Sequence, residues 1–155
     1  MGSLGITRLT NGLPFTVNSG INNSLNGDLK DRADAIGDPY AIDNSRPRND
    51  RILKWFNTAA FAINPLGRVG NSSRNSVRGP AQLNTDLAIM KNFPISERLG
   101  RVQFRAKFFN PLNQVRLANP GNVVSSGANF GRITSAGDPR LIQFGLKKNS
   151  LAGDD

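Results

Sequence analysis

Hydrophobic and polar residues alternate along three stretches of the chain, Leu83–Phe93, Val102–Asn110 and Arg140–Lys147. In the first, Leu83, Leu87, Ile89 and Phe93 share the odd positions with Thr85 and Lys91, against Asn84, Asp86, Ala88, Met90 and Asn92. In the second, Val102, Phe104, Ala106 and Phe108 alternate with Gln103, Arg105 and Lys107, and Phe109 breaks the pattern. The third sets Ile142, Phe144 and Leu146 against Leu141, Gln143, Gly145 and Lys147. Successive side chains of a strand point to opposite faces, so each stretch predicts a strand with one apolar and one polar face. Leu4–Thr10 is a weaker strand candidate that stops at the turn signal Asn11-Gly12. Leu13–Val17 is a candidate extension of it, with Pro14 at an edge or bend.

Pairing the first two stretches imposes a parity condition. With Phe93 opposite Val102, Ile89 meets Ala106, Leu87 meets Phe108 and Asn92 meets Gln103. Apolar meets apolar and polar meets polar, as a fixed register demands. Asp86 falls diagonally from Lys107, a spacing that predicts an ion pair. The joint between these strands, Pro94–Arg101, is eight residues, whereas Asn11–Gln82 and Pro111–Pro139 are long and rich in Asn, Gly and Ser. Short turns on one side and long loops on the other are how consecutive strands of a membrane β-barrel are joined. Strands of about 9–11 residues also suffice to cross a bilayer at a tilt. The competing reading is a soluble antiparallel sheet with one face on a core. The uneven joints, and the shortage of other apolar residues to cover the greasy face, favour the barrel.

Composition narrows the chemistry. Of 155 residues only 37% are hydrophobic, and 16 are Gly and 9 Pro, which suits a sheet with large loops better than a thick core. With no Cys and no His, the chain has no disulfides, thiolate chemistry, ordinary zinc site or His-based acid/base catalysis. The net charge is +9, from 20 basic and 11 acidic residues. Such an excess raises nucleic acid as a partner. Yet Arg46, Arg68, Arg98, Arg105, Arg116 and Arg132 are spread along the chain without a dense run, which disfavours it. The longest apolar run, Ala59–Ile63, is five residues, too short for a membrane helix. Met1–Gly20 lacks a basic segment followed by an apolar one, so no signal peptide is expected within this chain.

No motif argues for an enzyme. Gly67–Arg74 (GRVGNSSR) lacks the Gly-Lys-Ser/Thr ending of a phosphate-binding loop and is read as a polar surface loop. Asp31, Asp34 and Asp38 miss the spacing of a calcium loop and are read as solvated acids or arginine partners. Ser and Thr have no His to activate them, and nothing positions two carboxylates together. No catalytic residue, metal or cofactor is therefore expected. Trp55, Phe56 and Phe61 are read either as an aromatic ligand platform or as anchors of a loop on a barrel or membrane interface.

Five phrases carry a resemblance: Asn11–Val17 (NGLPFTV), Trp55–Phe61 (WFNTAAF), Gly70–Phe93 (GNSSRNSVRGPAQLNTDLAIMKNF), Gln103–Asn110 (QFRAKFFN) and Asn129–Phe144 (NFGRITSAGDPRLIQF). In this order, they resemble the C-terminal barrel of TonB-dependent outer-membrane receptors, with the closest likeness to the Oar-like branch common in acidobacteria. The resemblance implies part of a barrel of about 22 strands with an N-terminal plug. Members of that family take up bulky cargo using energy relayed by TonB. Here the last four strands match, as an all-β antiparallel meander. Leu4–Thr10 would rise outward, Leu83–Phe93 descend, Val102–Asn110 rise and Arg140–Lys147 descend. Asn11–Gln82 and Pro111–Pro139 would then be extracellular loops, and Pro94–Arg101 a periplasmic turn.

These readings combine into one expectation. Residues 1–148 form the last strands and loops of a partial receptor barrel in the outer membrane, followed by a polar tail, 149–155. Asn84, Asp86, Gln103, Arg105 and Lys107 face the lumen; Leu87, Ile89, Phe104, Phe108, Ile142 and Phe144 face lipid. The partners are outer-membrane lipid, the rest of a parent barrel and an unidentified substrate, with the TonB system reached only through a plug that this chain lacks. Family members usually close the last strand on an aromatic residue. Here Leu146 precedes Lys147-Lys148 and the tail, which predicts less efficient assembly. The alternative is a soluble, basic, β-rich binding or adhesion module.

Overall fold

A computed structural model of the chain describes residues 1–96 and 100–149. In chain order the elements are β1 (Gly2–Thr10), β2 (Pro14–Phe15), β3 (Asp34–Ala35), α1 (Arg48–Leu53), β4 (Phe61–Ala62), β5 (Val77–Arg78), β6 (Gln82–Ser96), β7 (Gly100–Phe109) and β8 (Leu141–Asn149). They fall into two units. A sheet unit is drawn from Met1–Leu9, Gln82–Arg116 and the chain from Asp138 onward; a loop unit comprises Thr10–Ala81 and Leu117–Gly137.

The sheet unit is one four-stranded sheet in the order β1-β6-β7-β8. β6 and β7 pair antiparallel with Phe93 opposite Val102, Ile89 opposite Ala106 and Leu87 opposite Phe108, the register that parity predicts. β8 continues the sheet, with Phe108 opposite Ile142, Ala106 opposite Phe144 and Phe104 opposite Leu146. On the other side the Thr7 and Thr85 hydroxyls lie 3.3 Å apart and Gly5 lies against Leu87. Numbers fall on one strand as they rise on the other, so β1 runs antiparallel to β6. The strands are longer than their alternation predicts. β6 continues through Pro94, opposite Arg101, and an irregularity between Pro94 and Ser96 absorbs the proline before Ser96 pairs with Gly100. Of the expected turn Pro94–Arg101, residues 97–99 lie outside the described residues, and the others are strand. Asn149, expected at the start of the polar tail, belongs to β8; the rest of that tail also lies outside the described residues.

Both ends of β7 follow from backbone sterics. Gly100 opens it at φ 76° and Asn110 ends it at φ 49°, the left-handed region that Gly and Asn tolerate best. Asn110 also binds Gln114 twice, accepting its N–H at 2.9 Å and donating to its carbonyl at 2.9 Å, which turns the chain out of the sheet.

The loop unit has little regular structure yet a continuous core of Phe15, Val17, Ala33, Phe56, Ala60, Phe61 and Val77, with Trp55, Val124 and Phe130 against it. Phe56 is central. Its ring lies 6.0 Å from Phe15, 5.8 Å from Phe61 and 5.3 Å from Phe130, the last two edge-on, the arrangement that aromatic quadrupoles favour. Two-residue ladders stitch the segments: β2 pairs β5 (Phe15 opposite Val77) and β3 pairs β4 (Ala35 opposite Phe61). β2 is therefore not an extension of β1, since its hydrogen bonds go to Val77–Arg78. Gly70 shows why Gly67–Arg74 is rich in small residues. Its N–H donates to the Arg32 carbonyl at 3.1 Å, and a Cβ there would come within 2.1 Å of the same oxygen.

Removing the central ring should leave an unfilled cavity. Phe56→Ala is expected to destabilise the loop unit by about 3–5 kcal/mol. Urea unfolding followed by the emission of Trp55, the one tryptophan of the chain, measures this. A loss below about 1 kcal/mol would mean that the ring cluster does not hold the loops together.

Candidate functional site

In the sheet the register fixes which side chains share a face. One face carries the rows Leu87–Phe108–Ile142 and Ile89–Ala106–Phe144, with Phe104 beside Leu146. Phe104 and Phe144 stack with ring centres 6.0 Å apart. The opposite face carries the rows Asn92–Gln103–Lys147 and Ala88–Lys107–Gln143, with Arg105 between Met90 and Gly145. There Gln103 donates to the Asn92 side-chain oxygen at 2.9 Å and accepts from Arg105 Nε, while Asn84 donates to Asp86 at 3.0 Å. The structure thus places Asn84, Asp86, Gln103, Arg105 and Lys107 together on one face. It places Leu87, Ile89, Phe104, Phe108, Ile142 and Phe144 together on the other.

Several details differ from the sequence pattern. Asp86 makes no ion pair with Lys107, because its oxygens accept from Asn84 and from the Asn110 N–H at 3.3 Å. Phe109 and Leu141 sit opposite each other on the polar face. By alternation from Gly5 and Thr7, Leu4 and Ile6 fall on that face too. Lys91 interrupts the apolar face, with its ammonium 4.9 Å from the Phe93 ring centre.

The apolar face is uncovered. Phe144 is 70% exposed and Leu146 76%, and of the sheet's apolar side chains only Ala106 is buried among the described residues. Among the described residues the outer strands β1 and β8 each have one neighbour, which leaves their far edges open. A soluble sheet of this composition would need a core on its greasy face, and the remaining buried apolar residues all belong to the loop unit. A barrel needs none, because lipid covers that face and further strands cover the edges.

Residues 3–143 match the family model described as an outer membrane beta barrel domain. The chain belongs to that family. No curated protein and no solved structure matches it. Membership accounts for an all-β, antiparallel sheet whose greasy face lacks a core. Among the described residues no helix is long and apolar enough to cross a membrane, which has no bearing on crossing by strands.

In this barrel-domain chain the loop unit is built around two buried carboxylates. Asp34 takes a two-pronged ion pair from Arg68, Nη1 to Oδ1 at 3.0 Å and Nη2 to Oδ2 at 2.6 Å, and accepts the Asn71 N–H at 3.0 Å. Asp31 accepts the Ser24 hydroxyl at 2.6 Å, the Ser24 N–H at 2.7 Å and the Asn64 amide at 3.1 Å. Asp34 is thus an arginine partner, one of the two roles its sequence context suggests, but Asp31 is neither solvated nor paired with arginine. Both sit at the seam between Asn18–Asp38 and Asn64–Arg74. Asp38 caps the Tyr40 N–H at 2.8 Å near the surface. These carboxylates are filled by donors, and among the described residues no three acidic side chains converge on a metal position. Phe56 and Phe61 are interior, so they form neither a ligand platform nor a membrane belt. Trp55, partly buried, donates its indole N–H to the Arg78 carbonyl at 2.8 Å and carries the Arg51 guanidinium 5.3 Å above its ring. The sequence signal for this packing is the spacing of Phe15, Phe56, Phe61 and Phe130 among small residues, which has no helix or strand period.

Hydrogen bonding lowers both acids below their ordinary value of 3.8, through the Ser24 hydroxyl for Asp31 and the Asn71 N–H, then Arg68, for Asp34. A group lowered on folding stabilises the fold above its unfolded value and loses that contribution as pH falls through its folded one. The loop unit should therefore weaken on acidification below about pH 3.8. Urea midpoints between pH 6 and 2.5 should fall less for Asp34→Asn, which starts weaker, than for the parent chain. Parallel midpoint curves for the two would remove Asp34 from this role.

Proposed function

We propose that this chain is the C-terminal barrel-wall segment of a TonB-dependent outer-membrane receptor of the Oar-like branch, and that it serves substrate uptake. The observation that carries the reading is the sheet, which among the described residues has two chemically distinct faces, no core on the apolar one, and two open edges where neighbouring barrel strands would pair. Leu87, Ile89, Phe104, Phe108, Ile142 and Phe144 face lipid in this reading. Asn84, Asp86, Gln103, Arg105 and Lys107 face a hydrated lumen. Both long connections leave the sheet at the end opposite the Ser96–Gly100 pair, so they belong to one side of the membrane. Assigned to the outside, they would be the receptor's substrate-facing loops, while energy coupling through TonB requires a plug elsewhere in a parent protein. The role is binding and transport, with no catalytic step.

The faces make opposite demands on charge. Placing arginine on the lipid face near a bilayer midplane costs about 2–4 kcal/mol, whereas the lumen side tolerates it. In a full-length parent, Phe104→Arg should sharply reduce recovery from the outer membrane, and Gln103→Arg should leave it near normal. Normal recovery of Phe104→Arg would contradict the orientation.

A further inference from the structure

A cavity of about 660 Å³ opens in the loop unit. Its wall carries the cations Lys30, Arg32 and Arg74 among Asn18, Asn26 and Asn75. Two acids, Asp28 and Asp31, share the wall. Asp31 is buried and directs both oxygens at Ser24 and Asn64. Asp28 accepts the Lys30 backbone N–H at 2.9 Å and leaves the Lys30 ammonium free. Arg32 uses Nη1 on the Ser72 carbonyl at 2.9 Å, which leaves the rest of its donors unspent. Neither Lys30 nor Arg74 forms an ion pair among the described residues. The cavity therefore holds more positive charge than its own acids offset.

Its walls are also held in place. Asn18 bridges both Arg32 and Val123, the Ser19 N–H donates to the Asp31 carbonyl at 2.7 Å, and the Asn75 N–H donates to the Thr16 hydroxyl at 3.0 Å. A backbone frame already in place limits the ordering cost of binding to the cationic side chains themselves.

We infer that this cavity binds an acidic saccharide. Guanidinium and ammonium groups match a sugar carboxylate with charge-assisted hydrogen bonds. The Asn18 and Asn75 amides each offer donors and an acceptor, the pairing that vicinal hydroxyls require, while Asn26 adds its amide donors, its oxygen accepting the Asp28 N–H at 2.8 Å. On the outer side of the membrane, a placement that rests on the proposed receptor role, such a group has two sources. One is a soluble acidic oligosaccharide; the other is the acidic sugar of lipopolysaccharide in the outer leaflet.

Calorimetry on the full chain in detergent micelles tests this with four probes: trigalacturonate, neutral galactotriose, lipopolysaccharide and a short polyglutamate. At least one acidic saccharide should bind, galactotriose and polyglutamate should not, and binding should weaken as salt rises. The double variant Lys30→Gln/Arg74→Gln should bind about tenfold or more weakly, as expected for lost hydrogen bonds to charged groups. Arg32 is left in place because it also holds Ser72, and unchanged Trp55 emission verifies the variant's fold. Binding of trigalacturonate identifies a soluble cargo, and binding of lipopolysaccharide alone identifies the leaflet. The inference is overturned if neither acidic saccharide binds, if polyglutamate or galactotriose binds as tightly, or if the folded variant binds as the parent does. None of these outcomes depends on the barrel orientation, which the Phe104→Arg recovery tests separately.

Discussion

The register between β6, β7 and β8 is the constraint on which the sheet depends. With Phe93 opposite Val102 and Phe104 opposite Leu146, the paired positions of the apolar face are apolar across all three strands, apart from the lysines at 91 and 148. A slip of one residue in any strand would turn its phenylalanines among the amides and its amides among the phenylalanines. The same register aligns Asn92, Gln103 and Arg105 into a hydrogen-bonded ladder. Two incompatible surfaces are thus made by one pairing choice, and the apolar one has nothing to pack against within the sheet unit. Family membership as an outer membrane beta barrel domain supplies the solvent that such a face requires.

The loop unit solves the opposite problem. Its segments lack the alternation that would pair them in long ladders, so two-residue ladders and side chains share the joining. Phe56 gathers three other rings around itself, and Asp31 and Asp34 lock strands of irregular chain by accepting from groups far away in sequence. Burying a carboxylate is costly unless donors surround it. Here serine, asparagine and arginine do so, and the result is ordered loops with a modest apolar core. The cations left over, Lys30 and Arg74 among them, account for part of the chain's basic excess and give the loops their proposed affinity for acidic sugars.

Legibility from sequence differs between the two units for a physical reason. Strand faces are written with a period of two, so alternation alone sorts Leu87, Ile89, Phe104 and Phe108 from Asn84, Gln103 and Arg105, and parity pairs them. The strand ends are less legible, since Pro94 reads as turn and Asn149 as tail, yet both continue the ladders. The Asp86–Lys107 ion pair does not form because nearer partners, Asn84 and the Asn110 N–H, take the carboxylate first. The loop unit reads as polar and open. Its core comes from single aromatic residues separated by tens of positions, and its buried acids find partners 7 to 37 residues away. Neither leaves a periodic trace.

The central claim is that one face of this sheet meets lipid and the other water. This chain has no cysteine, so single cysteines can be placed along β7 and β8 of a full-length parent cleared of any others and spin-labelled after reconstitution into bilayers. At positions 104, 106, 108, 142 and 144, collisions with lipid-dissolved oxygen should dominate. At 103, 105, 107 and 143, a water-soluble nickel complex should collide more often, with the two signals alternating residue by residue. Alternation with that phase is the predicted result. Equal access of the nickel complex to both faces, or exclusion of both reagents from the apolar face as in a soluble core, would contradict the account.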